Sequence, residues 1–241
     1  GAGRNSGLQD QLQLSLGNLL SVRYVRDISA SVPTVLRGQI QWGNSSAWKE
    51  PTDNSVVFQA KQNTLNMDEW QPVLNSWMDD DATAKSGSAS RSAMASYMPT
   101  KIEVQAQELI WSGRAYNQFQ ASAEKQPKQW RIQARANEFQ GTADYRAAQD
   151  GASARVNAHL TYLSIPPSLI EEVETVMSES PKDMPALDIV IDNLELRGIS
   201  LGRADIEGFA RTNTSGTREW VLNKLNLTLP EASFQSKGQW G

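Results

Sequence analysis

The chain has one histidine, His159, and no cysteine, and those two facts bound most of the chemistry it can do. A Ser-His-Asp relay would need His159 as its base. That residue sits on the polar parity of an alternating stretch, beside Arg155, Asn157 and Thr161, and reads as a solvated sheet histidine. Metal sites of imidazole or thiolate need several such ligands, and a disulfide framework needs cysteines. The nearest enzyme signature is Ser46-Ala-Trp-Lys49, an S-x-x-K match, with Thr52-Asp-Asn54 resembling S-D-N and Lys85-Ser-Gly87 resembling K-T-G. The second element follows the first by only six residues, whereas a helix-borne nucleophile and its partner loop need a domain between them. Asp79-Asp80-Asp81 offers oxygen ligands to a hard cation, but the turn glycine and distal Glu of a calcium loop are missing. It reads as a solvated acidic cluster at a helix end, where the helix dipole favours cations instead. Paired carboxylates for glycoside hydrolysis stay open, since any two of the 27 acids could meet in space. No dinucleotide, Walker or zincin motif occurs. The N-x-S/T triplets at Asn44, Asn213 and Asn226 matter only in a eukaryotic secretory setting. The expectation is a non-enzymatic chain with no cofactor.

The elements that must position any site are strands. The stretch from Leu187 to Gly241 repeats the layout of Ile102 to Gly141. In the first copy an alternating strand reaches Leu109 and Gly113 follows four residues later; in the second, Leu194 is followed by Gly198. Each copy then passes a polar turn to a Trp that opens a further strand (Trp130, Trp220), and each closes on an aromatic and a glycine (Phe139 to Gly141; Phe234 to Gly238). Such repetition indicates a tiled β-surface rather than a closed catalytic pocket. Period-two alternation recurs at Leu12/Leu14/Leu16, Leu36/Ile40/Trp42, Val56/Phe58/Ala60, Ile102/Val104/Ala106, Trp130/Ile132/Ala134, Val156/Ala158/Leu160 and Leu225/Leu227/Leu229. One apolar and one polar face predicts antiparallel strands buried on one side.

Two segments break the pattern. Residues 68–78 carry Trp70, Val73, Leu74 and Trp77 at helical spacing, with Asp68 as cap, Gln71 at capping-box distance and Pro72 in the first turn. A second helix is expected from Pro167 to about Met177, with Leu169, Val173, Val176 and Met177 on one face. Their apolar stripes should plug an end or edge of the sheet. The expected fold is mainly β: an extended, twisted antiparallel sheet of repeated strand units with two short α-helices. It would be one continuous segment, with sub-units of about 1–84, 101–163 and 185–241 and linkers near 79–100 and 178–184.

Composition agrees with a thin fold. Hydrophobic content is 39% and mean hydropathy -0.50, low for a compact body of 241 residues, yet eight Trp argue for order. An extended sheet has more surface per residue than a sphere and so carries more polar residues. The net charge of -4, with both signs interspersed, excludes nucleic acid as a partner, since phosphate neutralisation needs clustered Lys and Arg. No run of 18 apolar residues or signal-peptide core occurs. The Gly-Ala-Gly start suggests a piece of something longer.

The run LPEASFQSKGQW (Leu229 to Trp240), after REWVLNKLNL, resembles the closing strands of the YhdP branch of AsmA-like proteins. So does MPALDIVIDNLELRGISLGRADIEGFAR (Met184 to Arg211). LRGQIQWG (Leu36 to Gly43), LNMDEWQPVL (Leu65 to Leu74) and the N-terminal LQLSLGNLLSVRYVRD are similar to the family's strand, strand and Trp-bearing helix. The likeness covers most of the chain and is weakest over Lys85 to Thr100.

The resemblance implies a segment of a large inner-membrane-anchored envelope protein of a Gram-negative bacterium, lying in the periplasm. Its implied role is outer-membrane biogenesis: shielding phospholipid acyl chains in an apolar β-groove as they move between the inner and outer membranes. The implied partners are those acyl chains, other segments of the same protein and further envelope proteins. The sequence here lacks the family's membrane anchor and most of its length. A one-sided sheet has an apolar face that must meet protein or ligand. Ile102, Val104, Ala106, Ile189, Ile191, Leu225 and Leu227 are the groove-wall candidates, with ordinary core burial as the alternative for each. The rival reading of the whole is a structural or protein-interaction β module without a lipid conduit. A carbohydrate-binding domain using Trp platforms fits less well, because Trp42, Trp70, Trp77 and Trp130 fall at apolar positions rather than exposed ones. The acidic balance argues against contact with anionic headgroups.

Overall fold

The computed structural model describes residues 7–43, 51–70, 93–111, 113–149, 152–165, 184–212, 218–229 and 233–240. The chain forms two units, Gly1–Lys125 and Gln126–Gly241. The first holds β1 (Gln9–Leu16), β2 (Leu20–Asp27), β3 (Thr34–Gly43), β4 (Val56–Asn66), β5 (Lys101–Trp111) and β6 (Arg114–Gln126). The second holds β7 (Gln129–Arg135), β8 (Phe139–Arg146), β9 (Arg155–Ile165), β10 (Ala186–Leu196), β11 (Ile199–Thr212), β12 (Arg218–Thr228) and β13 (Ser233–Trp240). Within each unit the strands lie in chain order. The mainly-β expectation is met.

The alternating runs become strands because period two puts every apolar side chain of a run on one face. Most neighbours pair antiparallel, as expected. Three do not: β3 with β4, β4 with β5, and β9 with β10 run parallel, so the sheet is mixed. The reason lies in the connections. Parallel neighbours need a crossover that returns the chain to the starting end of the strand, and the segments at 67–100 and 166–185, which break the alternation, fall between such pairs. Polar parity is not always exposed. Gln39 and Gln41 of β3 are only 3% and 7% exposed although they alternate with the apolar Ile40 and Trp42. Gln39 Nε2 donates to Gln59 Oε1, and Gln59 Nε2 donates to Glu103 Oε2 at 2.7 Å, a relay across β3, β4 and β5 that leaves the buried Gln39 Oε1 without a partner.

Residues 67–70 are helical, one residue earlier than the sequence indicates. The cap is Asn66 rather than Asp68: Asn66 Oδ1 accepts from the Asp68 N–H at 3.1 Å, and its Nδ2 donates to Glu69 Oε1 at 3.0 Å. Asp68 instead accepts from the Gly113 N–H at 3.1 Å, tying the helix start to the β5–β6 turn. A helical turn at 93–96 lies in the stretch read as linker. Residues 71–92, with Asp79-Asp80-Asp81 and Lys85, and residues 166–183, with the second expected helix, lie outside the described residues, as do 44–50 with Ser46 and Lys49.

The two sequence copies fold alike. Each opens with a strand paired in parallel to the one before it (β5, β10), turns through a left-handed glycine (Gly113, φ 70°; Gly198, φ 77°) and continues into a long strand (β6, β11). The Trp opening the next strand is buried in both, Trp130 at 3% and Trp220 at 4% exposed. Trp220 Nε1 donates to the Pro185 carbonyl at 3.2 Å, and its ring lies where a side chain at residue 208 would be, a position held by glycine.

Each copy is also kinked across three strands at one level. In the first, Asn63, Gln107 and Gln118 drop out of the pairing of β4, β5 and β6, and Gln118 takes φ 55°. In the second, the pairs jump from Leu160↔Ile191 to Leu163↔Leu194, and from Ile191↔Ala204 to Leu194↔Gly202, with Gly202 at φ 69°.

Candidate functional site

The register assembles the alternating apolar residues into rows running across the strands. In the second unit one row is Ile132, Ala143, Ala158, Ile189, Ile206 and Leu225, from β7 to β12. All six are half-buried. The next row contains Leu160, Ile191, Ala204 and Leu227. Here Ile191, Leu194 and Ala204 are fully covered, and Ile189, Ile206 and Leu227 pack against them. Of the candidates, Ile189 and Leu225 thus share one row, and Ile191 and Leu227 the next. Five inter-strand steps of about 4.8 Å make the first row roughly 24 Å long.

Ile102, Val104 and Ala106 lie in the other unit, on one side of β5. Ile102 continues the row Leu14, Val22, Ile40 and Phe58; Val104 continues Leu16, Leu20, Trp42 and Ala60. Part of this face is covered by the chain itself. The Trp70 ring lies 4.5 Å from Trp42 and 6.3 Å from Phe58, centroid to centroid. Tyr97 meets Tyr24 edge-on at 5.1 Å and takes its hydroxyl bond through the Tyr97 carbonyl at 3.1 Å. Ile102 and Ala106 are buried, and Val104 is half-buried.

Polar chemistry is concentrated elsewhere. His159 is more than half exposed, as its parity implied, but it is not simply solvated: Nε2 lies 2.7 Å from Asp192 Oδ2. Arg203 Nη1 donates to Asp192 Oδ1 at 3.0 Å, and Nη2 donates to Asp205 Oδ1 at 3.3 Å. These four residues form a polar cluster at the kink of the second copy. Sequence reasoning missed it, because the bulge that exposes Asp192 to both bases has no signal in the alternation. Asp53, part of the S-D-N-like triplet, accepts from Lys101 Nζ at 2.6 Å and from Ser55 Oγ at 2.6 Å. The Lys101 ammonium, then the Ser55 hydroxyl, hold its carboxyl below the usual range. It therefore joins the β3–β4 connection to β5. Among the described residues, no group of three His, Cys, Asp or Glu is placed to hold a metal ion, and no helix is long and apolar enough to cross a membrane.

The family described as YhdP protein matches residues 2–241. The chain belongs to the YhdP family. The match takes in both units and both repeat copies, including the stretch from Lys85 to Thr100 where the sequence likeness was weakest. No curated protein matches the chain. In this YhdP family member, Ile102, Val104, Ile189, Ile191, Leu225 and Leu227 lie on the apolar rows, whereas Ala106 pairs with Gln62 and Phe119.

Proposed function

We propose that this chain is a non-enzymatic segment of a longer, inner-membrane-anchored YhdP-type protein, lying in the periplasm of a Gram-negative bacterium. It shields phospholipid acyl chains on their way between the inner and outer membranes. The observation supporting this reading is the row Ile132–Ala143–Ala158–Ile189–Ile206–Leu225, six half-buried apolar residues on six successive strands. At roughly 24 Å the row exceeds the roughly 15 Å that one acyl chain spans in half a bilayer core. Each CH₂ laid against it gains about 0.8 kcal/mol without directional contacts, so a chain could slide along the row at little cost.

The test is native mass spectrometry of the purified chain, with organic extraction and lipid identification. Co-purified phospholipid is the expected result. The variants Ile189→Glu and Leu225→Glu should stay folded and lose that lipid, because both residues are half-buried. Ile191 is 2% exposed, so a charge there would report on folding instead. Folded variants with normal lipid content would sink the wall assignment.

A second reading has its own support. Trp70 stacks on Trp42 and Phe58, so the first unit seals part of its own apolar face, as a structural β module would. Lipid-free, monodisperse protein would favour that reading.

A further inference from the structure

The kink across β4, β5 and β6 opens a concavity of about 330 Å³, at the lower end of the range for ligand pockets. Two strand-crossing rows supply its polar lining: Lys61, Gln105 and Gln120 on one side of the kink, and Asn63, Gln107 and Gln118 at it. Five of these six side chains are neutral amides. Between the rows lies Phe119, a buried apolar residue.

The comparison between the two copies gives the site its significance. At the matching kink the second copy uses Gly202, which adopts a left-handed conformation without a side-chain penalty. The first copy has its positive φ one position further along, at Gln118 (φ 55°), which an L side chain rarely adopts. Backbone strain at a cavity wall is a mark of a functional position. Gln118 adds to the cavity an amide that glycine would not.

The lining also selects the ligand. An amide group both donates and accepts hydrogen bonds, which matches the hydroxyl groups of a sugar. An anion would meet one cation, Lys61, among the lining residues, with the Glu103 and Glu108 carboxylates in the neighbouring rows of β5. That balance disfavours phosphate. We infer that this concavity binds a neutral, hydroxyl-rich ligand, one or two sugar residues of a glycan, with Gln118 and Gln107 as hydrogen-bonding contacts. The concavity also includes Ala106, a wall candidate of the first unit, but its polar contacts come from the amide rows.

Calorimetric titration of the whole chain with maltotriose, with chitotriose and with phosphatidylglycerol vesicles tests it. At least one oligosaccharide should bind with millimolar or better affinity. Gln118→Gly should weaken that binding by about tenfold or more, through the loss of an amide contact. The same variant should unfold at the same or a higher temperature than the parent, because it relieves backbone strain. Lost binding therefore cannot be put down to lost folding. Gln107→Leu should weaken binding similarly. Absence of binding to either oligosaccharide, binding to the vesicles alone, or unchanged affinity in both variants would overturn the assignment.

Discussion

Tyr24 shows how a single side chain records the packing around it. Burial, with a smaller contribution from Tyr97, pushes its phenol up from 10.0 to about 12. The neutral form is thus favoured in the folded chain, so the stability Tyr24 contributes is whole below pH 10.0 and is lost as pH rises towards 12. Absorbance titration should find one late-ionising tyrosine that disappears in Tyr24→Phe. The variant should also lose stability less steeply across that window; an identical alkaline slope would contradict the assignment. Gln118 records the opposite situation, a side chain kept where the backbone resists it at a cost of roughly 1–2 kcal/mol. Arg26 and Asp10 are more ordinary: a paired guanidinium–carboxylate contact at 2.9 and 2.5 Å joins β1 to β2 and lowers the Asp10 carboxyl through hydrogen bonding to Arg26.

At the scale of elements, the crossovers decide what the strands can do. The segment after β4 begins with a helical turn whose first N–H groups need partners. Asn66 supplies one through its side chain and engages Glu69 with the other end of its amide. Asn66→Ala should cost about 1 kcal/mol in denaturant unfolding, whereas Asn66→Asp should cost little. Equal loss in both variants would place the role of Asn66 in β4 rather than in the cap. Because Trp70 follows within the same turn, this cap also aims the ring that covers Trp42 and Phe58. The second unit has its own fixed point, where Trp220 reaches the Pro185 carbonyl at the end of the β9–β10 crossover.

For the molecule as a whole, the apolar rows matter at their margins as well as at their centres. Leu14 and Leu16 of β1 are 58% and 66% exposed, and among the described residues β1 pairs only with β2. An exposed strand with an apolar face invites association. The purified chain should self-associate in sedimentation velocity as concentration rises. The double substitution Leu14→Lys and Leu16→Lys should suppress that association with little change in unfolding. Concentration-independent sedimentation of the parent would show that this margin is not sticky.

Strands and copies were legible in the residues themselves. Alternation at Val56/Phe58/Ala60 or Trp130/Ile132/Ala134 is a local property, because the strand repeat of two residues puts like with like whatever the neighbour. The repeat was legible for the same reason, as was the exposed parity of His159. Strand direction was not: antiparallel and parallel neighbours share the alternation, and only the route of the crossover separates them. Nor was the burial of Gln39 and Gln41, whose side chains meet Gln59 of the neighbouring strand. The His159–Asp192–Arg203–Asp205 cluster and the amide-lined concavity depend on kinks shared by three strands at once. A break of one or two residues in each strand carries little signal, and only the tertiary register brings the breaks to one level. The sequence by itself determined which residues form strands and which face of each is apolar; the tertiary structure decided which of those faces the chain covers for itself, because burial is a property of neighbours that no single strand contains.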